Sequence, residues 1–187
     1  MKKNVLVILA EGFEEIEALT PVDLLRRADI KTTIAAQGEN KFVIGKTGIQ
    51  VVASRLLKDC MDREYDLVFL PGGPGVRHLC EDEMVLNKIR QQNERGGYLA
   101  AICAAPLVLE KAGLIPEPFS EVTGHFSIRD KLAVPLQDQA VVTSGNLITS
   151  QGAGTAVPFG LTLIATLLGE EKAAEIAKAI MAPASHS

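Results

Sequence analysis

Short apolar runs alternate along the chain with stretches of helical periodicity. The apolar runs are typical of buried strands and span residues 5–10, 32–36, 66–70 and 98–102. Apolar positions at helical spacing predict helices over 14–28, 82–94, 104–112, 155–168 and 170–181. Fully apolar strands that alternate with helices indicate a parallel sheet covered on both faces. The pattern therefore predicts a doubly wound α/β fold.

Two further segments predict hairpins. The first spans 43–52 around the turn at 45–48, and the second spans 140–150 around Gly145 and Asn146. Pro21 falls inside the first predicted helix, which it could bend. Neither a linker nor a repeat divides the chain, so we expect one domain over 1–182 and a frayed tail at 183–187.

Composition narrows the class of protein. Hydrophobic residues make up 47% of the chain and tryptophan is absent, so the core must be largely aliphatic. The net charge of -4 and the scattered basic residues argue against a nucleic-acid binder. The apolar run after Met1 is too short for a signal peptide, and no run reaches membrane-spanning length. We therefore expect a cytoplasmic protein without a membrane partner.

The cysteine and histidine positions argue against two structural features, a disulfide framework and a zinc site. Cys60, Cys80 and Cys103 form an odd set without a Cys-x-x-Cys pair, which argues against a disulfide framework. The three histidines do not fall at zinc-ligand spacing either, so we expect no metal. Cys60 and Cys80 are interpreted as structural or peripheral thiols, because neither follows a buried strand.

In a doubly wound fold, ligands bind at the carboxyl ends of the strands. That rule selects residues 11–17 after the first strand, 71–75 after the third core strand, and Cys103 after the next. We expect these three segments to meet in one crevice. A glycine-rich loop at 149–155 resembles a phosphate cradle but lacks its lysine, so packing against the crevice is the preferred interpretation.

Cys103 stands where a buried strand turns into a helix. Its neighbours Ala101, Ala104 and Ala105 are small enough for a tight turn, and Pro106 suits the first helical position. This is the pattern of a nucleophile elbow. A helix N-terminus and nearby backbone N–H groups would lower the thiol pKa, so the sequence predicts a reactive cysteine. A buried and inert cysteine is the competing interpretation.

The other two crevice segments offer groups that could assist the thiol. Gly72 and Gly73 could supply amides for an oxyanion hole, although a plain turn has the same composition. Glu17 could be a buried acid that moves protons. The pattern alone favours a solvated first helical turn for Glu14, Glu15 and Glu17, in which the acids complement the helix dipole.

A histidine could also act on the thiol as a base or proton shuttle. His125 follows a short apolar segment and is the first candidate, as in other Cys–His enzymes. His78 follows the glycine-rich turn and competes for the same role. Sequence separation does not decide between them.

These motifs, taken in order, resemble the ThiJ/PfpI superfamily and look closest to its Parkinson-disease-protein (DJ-one, deglycase) branch. The resemblance covers residues 4 to about 181. It is carried by the first strand with Glu14-Glu15-Ile16-Glu17, by Pro71-Gly72-Gly73, by Ala101-Ile102-Cys103-Ala104-Ala105-Pro106, and by Thr149-Ser150-Gln151-Gly152 through Gly154-Thr155.

The resemblance implies a fold and a set of site residues. The expected fold is a flavodoxin-like three-layer sandwich, similar to class I glutamine amidotransferase domains, in a homodimer. Cys103 would be the nucleophile, Glu17 a protonated acid against its sulfur, and His125 the nearby histidine. Gly72, Gly73 and Ala104 match the oxyanion hole. Arg27 matches one arginine of a small anion pocket whose second position falls at Thr47, where Lys46 could substitute.

The resemblance also implies the chemistry. The leading expectation is a cofactor-free glyoxalase III that converts methylglyoxal or glyoxal, together with a deglycase that removes their early adducts from proteins and nucleotides. The same oxidisable cysteine would serve a redox-sensing chaperone, which is the alternative. A cysteine peptidase is less favoured, because it belongs to other branches, and a purely structural domain is last.

Overall fold

The computed structural model describes residues 2–115 and 121–182. The predicted frayed tail at 183–187 lies outside the described residues. The strands are β1 (Asn4–Leu9), β2 (Lys31–Ala36), β3 (Phe42–Ile44), β4 (Gln50–Val52), β5 (Arg55–Leu56), β6 (Leu67–Leu70), β7 (Tyr98–Ile102), β8 (Val141–Ser144) and β9 (Leu147–Ser150). The α-helices are α1 (Glu15–Arg27), α2 (Val76–Glu81), α3 (Glu83–Glu94), α4 (Pro106–Lys111), α5 (Ala156–Leu168) and α6 (Glu170–Ala179). Short 3₁₀ helices span Leu57–Cys60, Phe126–Lys131 and Ala153–Thr155.

Seven strands form one sheet in the order β5-β2-β1-β6-β7-β9-β8. Every pairing in it is parallel except β8 with β9, which is antiparallel. The prediction of a mostly parallel, flavodoxin-like α/β fold is confirmed. Both hairpin predictions are also correct, because β3 pairs with β4 as a separate antiparallel ribbon and β8 pairs with β9.

Alternation along the strands divides the core between the two faces of the sheet. In β1, Val5, Val7 and Leu9 pack against α1, α5 and α6, whereas Leu6 and Ile8 pack against α2, α3 and α4. Each strand residue is thus buried under one of two helical layers, as the continuous apolar runs require.

One helix was missed from the sequence. The chain makes the short helix α2 before α3, where only a single helix over 82–94 was predicted. The break comes at Asp82, whose backbone is extended and whose side chain accepts a hydrogen bond of 2.8 Å from the N–H of Met84. An N-cap of this kind starts a new helix.

The parallel order brings the carboxyl ends of six strands to one edge of the sheet, and four of them concern the site. The segments that follow β1, β6, β7 and β9 there are 10–14, 71–75, 103–105 and 151–155. Within 2–115 and 121–182, none of the helices is both long enough and apolar enough to cross a membrane.

Candidate active site at the Cys103 elbow

Cys103 occupies a strained turn directly after β7. Its φ of 64° lies in the left-handed region, which is uncommon for a residue other than glycine. Its N–H donates to the carbonyl of Ser150 at 2.9 Å, and its own carbonyl accepts from the N–H of His125 at 2.9 Å. Pro106 begins α4 three residues later. The two anchors hold the backbone in this conformation, which is the kind of strain found at functional sites.

Glu17 is the buried acid of the site. It lies in the first turn of α1 with 2% of its surface exposed, and its carboxyl group faces the thiol of Cys103 and the amide of Gly72. Burial raises the pKa of Glu17 to about 7. Among the described residues, Oε2 is buried without a hydrogen bond of good geometry.

The thiol responds to the same surroundings. Burial and then the charge of Glu17 raise the pKa of Cys103 to about 12, against the N–H groups of Gly73 and Ala104, which lower it. The sequence-based expectation of a lowered thiol pKa is thus wrong for the state in which Glu17 is charged. The helix terminus and amides are outweighed by desolvation and by a neighbouring carboxylate.

The acidic start of α1 is buried, which corrects the expectation of a solvated first turn. Glu14 and Glu15 are each 6% exposed. Glu14 caps the helix by accepting a hydrogen bond of 2.7 Å from the N–H of Glu17. Glu15 accepts from the N–H of Thr47 at 2.8 Å and from its hydroxyl group. Burial works to raise the pKa of Glu15, but the two hydrogen bonds outweigh it and lower this pKa.

Glycines let the chain approach the sulfur closely. A Cβ atom at Gly72 would lie 2.6 Å from the Cβ of Cys103, which is too close for any side chain. Gly73 has a φ of 96°, and its N–H faces the sulfur together with that of Ala104. The N–H of Gly72 faces Glu17 instead. Of the three predicted oxyanion-hole donors, two are therefore directed at the sulfur.

His125 is the histidine that the fold brings to the elbow. Besides the backbone bond to Cys103, its Nδ1 lies 2.8 Å from the hydroxyl of Ser127, and its ring packs on Phe126 with 4.0 Å between centroids. His78 lies on α2, and its Nε2 accepts a hydrogen bond of 3.4 Å from Arg77. A cleft of about 280 Å³ opens beside His125, lined by Gly124, His125, Phe126, Arg129, Leu136, Gln137, Asp138 and Gln151.

The predicted anion pocket is not assembled within this chain. Arg27 lies in the last turn of α1, where it forms an ion pair of 2.7 Å with Asp23. Thr47 is engaged with Glu15 at the other end of that helix. Lys46 is the cation whose charge reaches Glu17, where it lowers the pKa slightly against the effect of burial.

The glycine-rich loop after β9 closes the site, and its polar anchors were missed from the sequence. The hydroxyl of Thr155 lies 2.7 Å from that of Ser150, accepts from the N–H of Gly152 at 3.0 Å and lies 2.9 Å from its carbonyl. Ser150 is fully buried and donates to the carbonyl of Ala140 at 2.8 Å. Hydroxyl residues directly after a buried strand were the available signal.

The other two cysteines lie away from the elbow. Cys60 is fully buried in the 3₁₀ helix Leu57–Cys60, and Cys80 is half-buried on α2, where burial raises its pKa. All three cysteines are free thiols. These positions agree with structural or peripheral roles for Cys60 and Cys80.

Comparison with known proteins identifies relatives over almost the whole chain. Residues 3–166 match the model of the DJ-1/PfpI family. Protein dj-1beta of Drosophila melanogaster is 39% identical, covering 97% of this chain and 98% of that protein. Its crystal structure superposes with a TM-score of 0.93 over 98% of this chain and 100% of that chain, at 38% identity.

Two other relatives bear on chemistry. A Caenorhabditis elegans protein named glutathione-independent glyoxalase DJR-1.2 is 34% identical, covering 95% of each chain. The structure of Toxoplasma gondii DJ-1 in an oxidised form superposes with a TM-score of 0.91 at 30% identity, covering 96% of this chain and 98% of that chain.

Proposed function

This chain belongs to the DJ-1/PfpI family, and from that membership and its cysteine site we propose that it is a cofactor-independent glyoxalase. It would convert 2-oxoaldehydes such as methylglyoxal to 2-hydroxy acids with Cys103 as nucleophile. The glyoxalase name of the Caenorhabditis elegans relative supports this class of reaction. The observation that carries the proposal is the pairing of Cys103 with Glu17, whose pKa of about 7 lets it hold or release a proton at neutral pH.

The pair shares one proton between its two acids near neutral pH. When that proton is on Glu17, the carboxyl is neutral and no longer repels a negative sulfur. It can then donate a hydrogen bond to the thiolate, while Gly73 and Ala104 direct their N–H groups at the same atom. This form of the pair is the reactive one, because the thiolate is the nucleophile.

The first step forms a carbon–sulfur bond. The thiolate of Cys103 attacks the aldehyde carbon, and the carbonyl oxygen takes the proton from Glu17, which gives a neutral hemithioacetal. The N–H groups of Gly73 and Ala104, which face the sulfur, would stabilise the developing oxyanion. Glu17 is left as a carboxylate, ready to act as a base.

The second stage is an internal redox reaction. The carboxylate, assisted by His125, removes the proton from the former aldehyde carbon and returns a proton to the adjacent carbon through an enediol. The first carbon is oxidised to a thioester and the second is reduced to an alcohol, so no external oxidant or reductant is consumed. Water then cleaves the thioester to a 2-hydroxy acid and restores the thiol.

Replacing the nucleophile tests the proposal directly. Cys103→Ser is expected to lower kcat/KM for methylglyoxal by at least about a thousandfold, as loss of a nucleophile does in other enzymes. Lactate formation is the measurement, and Cys80→Ser is the matched control that removes a half-buried thiol elsewhere. Wild-type turnover by Cys103→Ser would rule out the proposed reaction.

Action on glycated side chains follows from the same mechanism. Early adducts of methylglyoxal release the aldehyde reversibly, so an enzyme that consumes the aldehyde also clears its adducts. Direct deglycation is distinguished by a rate of adduct loss that exceeds the spontaneous release of aldehyde. A peptidase is less supported, because Nδ1 of His125 pairs with the Ser127 hydroxyl and not with a carboxylate.

Redox sensing is the second candidate function. Cys103 is half-buried rather than enclosed, and a relative has been observed in an oxidised form. An accessible thiolate is oxidised stepwise to sulfenic and sulfinic acid. Protection of an aggregating client before and after peroxide, compared with kcat/KM for methylglyoxal, separates the two functions. Client protection that is independent of peroxide and of Cys103 would exclude this candidate.

Free thiols throughout the chain fit the cytoplasmic location expected from the sequence.

We also propose that the chain forms a homodimer. Large apolar side chains are exposed on the β3–β4 ribbon and the start of α1, and they are Ile16, Phe42, Ile44, Ile49 and Val52. Val52 is 60% exposed and lies opposite Phe42 in the ribbon, so the two share one face. Exposed apolar surface of this kind marks an interface. A monomer mass by sedimentation at micromolar concentration would contradict the proposal.

A further inference from the structure

Gly152 is a buried glycine of the site, and neither its backbone conformation nor the packing of the described residues around it requires glycine. Its φ of 163° and ψ of -163° describe extended backbone, which any residue adopts. A Cβ atom added there would meet only Oε1 of Glu17 at 3.7 Å and Cδ2 of His125 at 3.8 Å. These are ordinary van der Waals distances.

Gly72 and Gly73 differ from Gly152 in this respect. A Cβ atom at Gly72 would lie 2.6 Å from the Cβ of Cys103, and one at Gly73 would lie 2.6 Å from the amide nitrogen of Glu14. Those two positions need glycine to let the chain approach the elbow. At Gly152 the absent side chain instead leaves room between two groups that the proposed reaction uses.

The room is a fixed recess of the site. Gly152 is buried, and both of its backbone polar groups are bonded to Thr155, by N–H to hydroxyl at 3.0 Å and by carbonyl to N–H at 2.9 Å. Its α-carbon is therefore held in place. The recess touches the Oε1 side of Glu17, whereas Gly72 lies against Oε2.

We infer that the recess over Gly152 holds the ketone carbon of the substrate and its substituent, so that Gly152 determines specificity for substituted 2-oxoaldehydes. This inference rests on the function proposed above. Once the aldehyde carbon is bonded to sulfur, the adjacent carbon must receive a proton from Glu17 or His125. The recess is bounded by both groups, and a Cβ atom on Gly152 would keep ordinary contact distances to each of them.

Gly152→Ala tests the inference because its methyl group would occupy the room assigned to the methyl of methylglyoxal. Glyoxal has only hydrogen at that position and needs less space. We expect the ratio of kcat/KM for methylglyoxal to that for glyoxal to fall about tenfold or more, which is the discrimination typical of one methyl group in a shaped pocket. Gly154→Ala is the matched control, since Gly154 is exposed and a Cβ atom there would meet nothing within 4 Å.

A second readout does not depend on turnover. The rate of Cys103 alkylation by iodoacetamide and by the bulkier N-ethylmaleimide is followed by mass spectrometry of the Cys103 peptide. Gly152→Ala should slow the bulkier reagent about tenfold more than the smaller one, and Gly154→Ala should not change the ratio. If wild-type protein consumes neither aldehyde, the proposed function fails while the alkylation ratio still tests the recess. An equal change for both aldehydes and both reagents, or no change, overturns the inference.

Discussion

Two buried polar side chains at opposite ends of the central sheet, Gln92 and Glu17, are held in opposite ways. At the amino end, Gln92 is fully buried, yet its amide donates to the carbonyls of Tyr65 and Tyr98 at 3.0 and 3.2 Å and accepts from Arg95 at 2.8 Å. At the carboxyl end, Glu17 is just as buried, but its Oε2 lacks a hydrogen bond of good geometry among the described residues.

The backbone of the two turns that flank β7 shows the same contrast. The turn that leads into β7 at the amino end uses a glycine, Gly96, for its positive φ of 69°. The turn that leaves β7 at the carboxyl end puts Cys103 at a φ of 64°, where a side chain costs energy. The buried Lys88 at the amino end also has hydrogen-bond partners, because it donates to the carbonyls of Met61 and Arg63. Gln92 and Lys88 at the amino end thus stabilise the fold, whereas Cys103 and Glu17 at the carboxyl end retain strain and an incompletely paired acid for chemistry.

The largest expected effect comes from removing the acid at the carboxyl end. Glu17→Gln keeps the shape but cannot exchange a proton, so kcat/KM for methylglyoxal should fall about a hundredfold or more. The same change should stabilise the protein at pH 8. Folding raises the pKa of Glu17 from about 4.5 to about 7, so the folded state binds this proton more tightly than the unfolded chain does.

The stability that this proton contributes is fully present below about pH 4.5 and is lost as the pH rises through about 7. The loss is roughly 3 kcal/mol for a shift of this size. Urea unfolding of both proteins at pH 5 and pH 8 measures it, and Glu17→Gln should lack the decline. A parallel decline in the variant would mean that another group causes it.

The thiol provides an independent check on the same pair. Alkylation of Cys103 should rise with a midpoint near pH 7 in the wild type, where the pair loses its first proton. In Glu17→Gln the sulfur must ionise alone in a buried site, so we expect a higher midpoint. An unchanged midpoint would show that Glu17 and Cys103 do not share a proton.

The second largest effect should come from the amino end and should appear in stability alone. Gln92→Leu removes both hydrogen bonds to backbone carbonyls and the one from Arg95, which should cost about 2–4 kcal/mol in the free energy of unfolding. The kcat/KM of the folded variant should stay within about twofold of wild type. Gln91→Leu is the matched control, because Gln91 is the exposed neighbour on the same helix. A comparable loss of kcat/KM in folded Gln92→Leu would remove the distinction between the two ends.

The sequence predicted the elbow but not the state of the acid. A strand, small residues and Pro106 around Cys103 are local features, and local features predict a strand-to-helix turn. Glu14, Glu15 and Glu17 look alike at the start of a helix, so the pattern favoured solvent for all three. Only the packing of the β3–β4 ribbon and of residues 71–75 against α1 buries them and turns Glu17 toward the sulfur.

The anion pocket that the resemblance implies for Arg27 stays a prediction. Ten residues of helix separate Arg27 from Glu17, which is about 15 Å, so such a pocket would lie apart from the elbow. Within one chain it pairs with Asp23 and does not reach the elbow. A motif states which residues occur together, and the helix length decides which of them can meet in one protomer.

The smallest expected effect concerns weak contacts between exposed side chains. It tests whether such a contact affects activity when it lies near the thiol and has no effect when it lies at the amino end of the sheet. Ser127→Ala removes the hydroxyl 2.8 Å from Nδ1 of His125, which orients the ring together with the N–H of Ser127 at 3.3 Å. Ser127 is exposed, so the free energy of unfolding should change by less than about 0.5 kcal/mol. We expect kcat/KM for methylglyoxal to fall about threefold to tenfold. Glu64→Gln is the matched change at the amino end, since it weakens an exposed ion pair of 3.0 Å with Arg95 and should leave both quantities unchanged. Equal kinetics in the two variants would mean that His125 needs no orientation from the Ser127 hydroxyl.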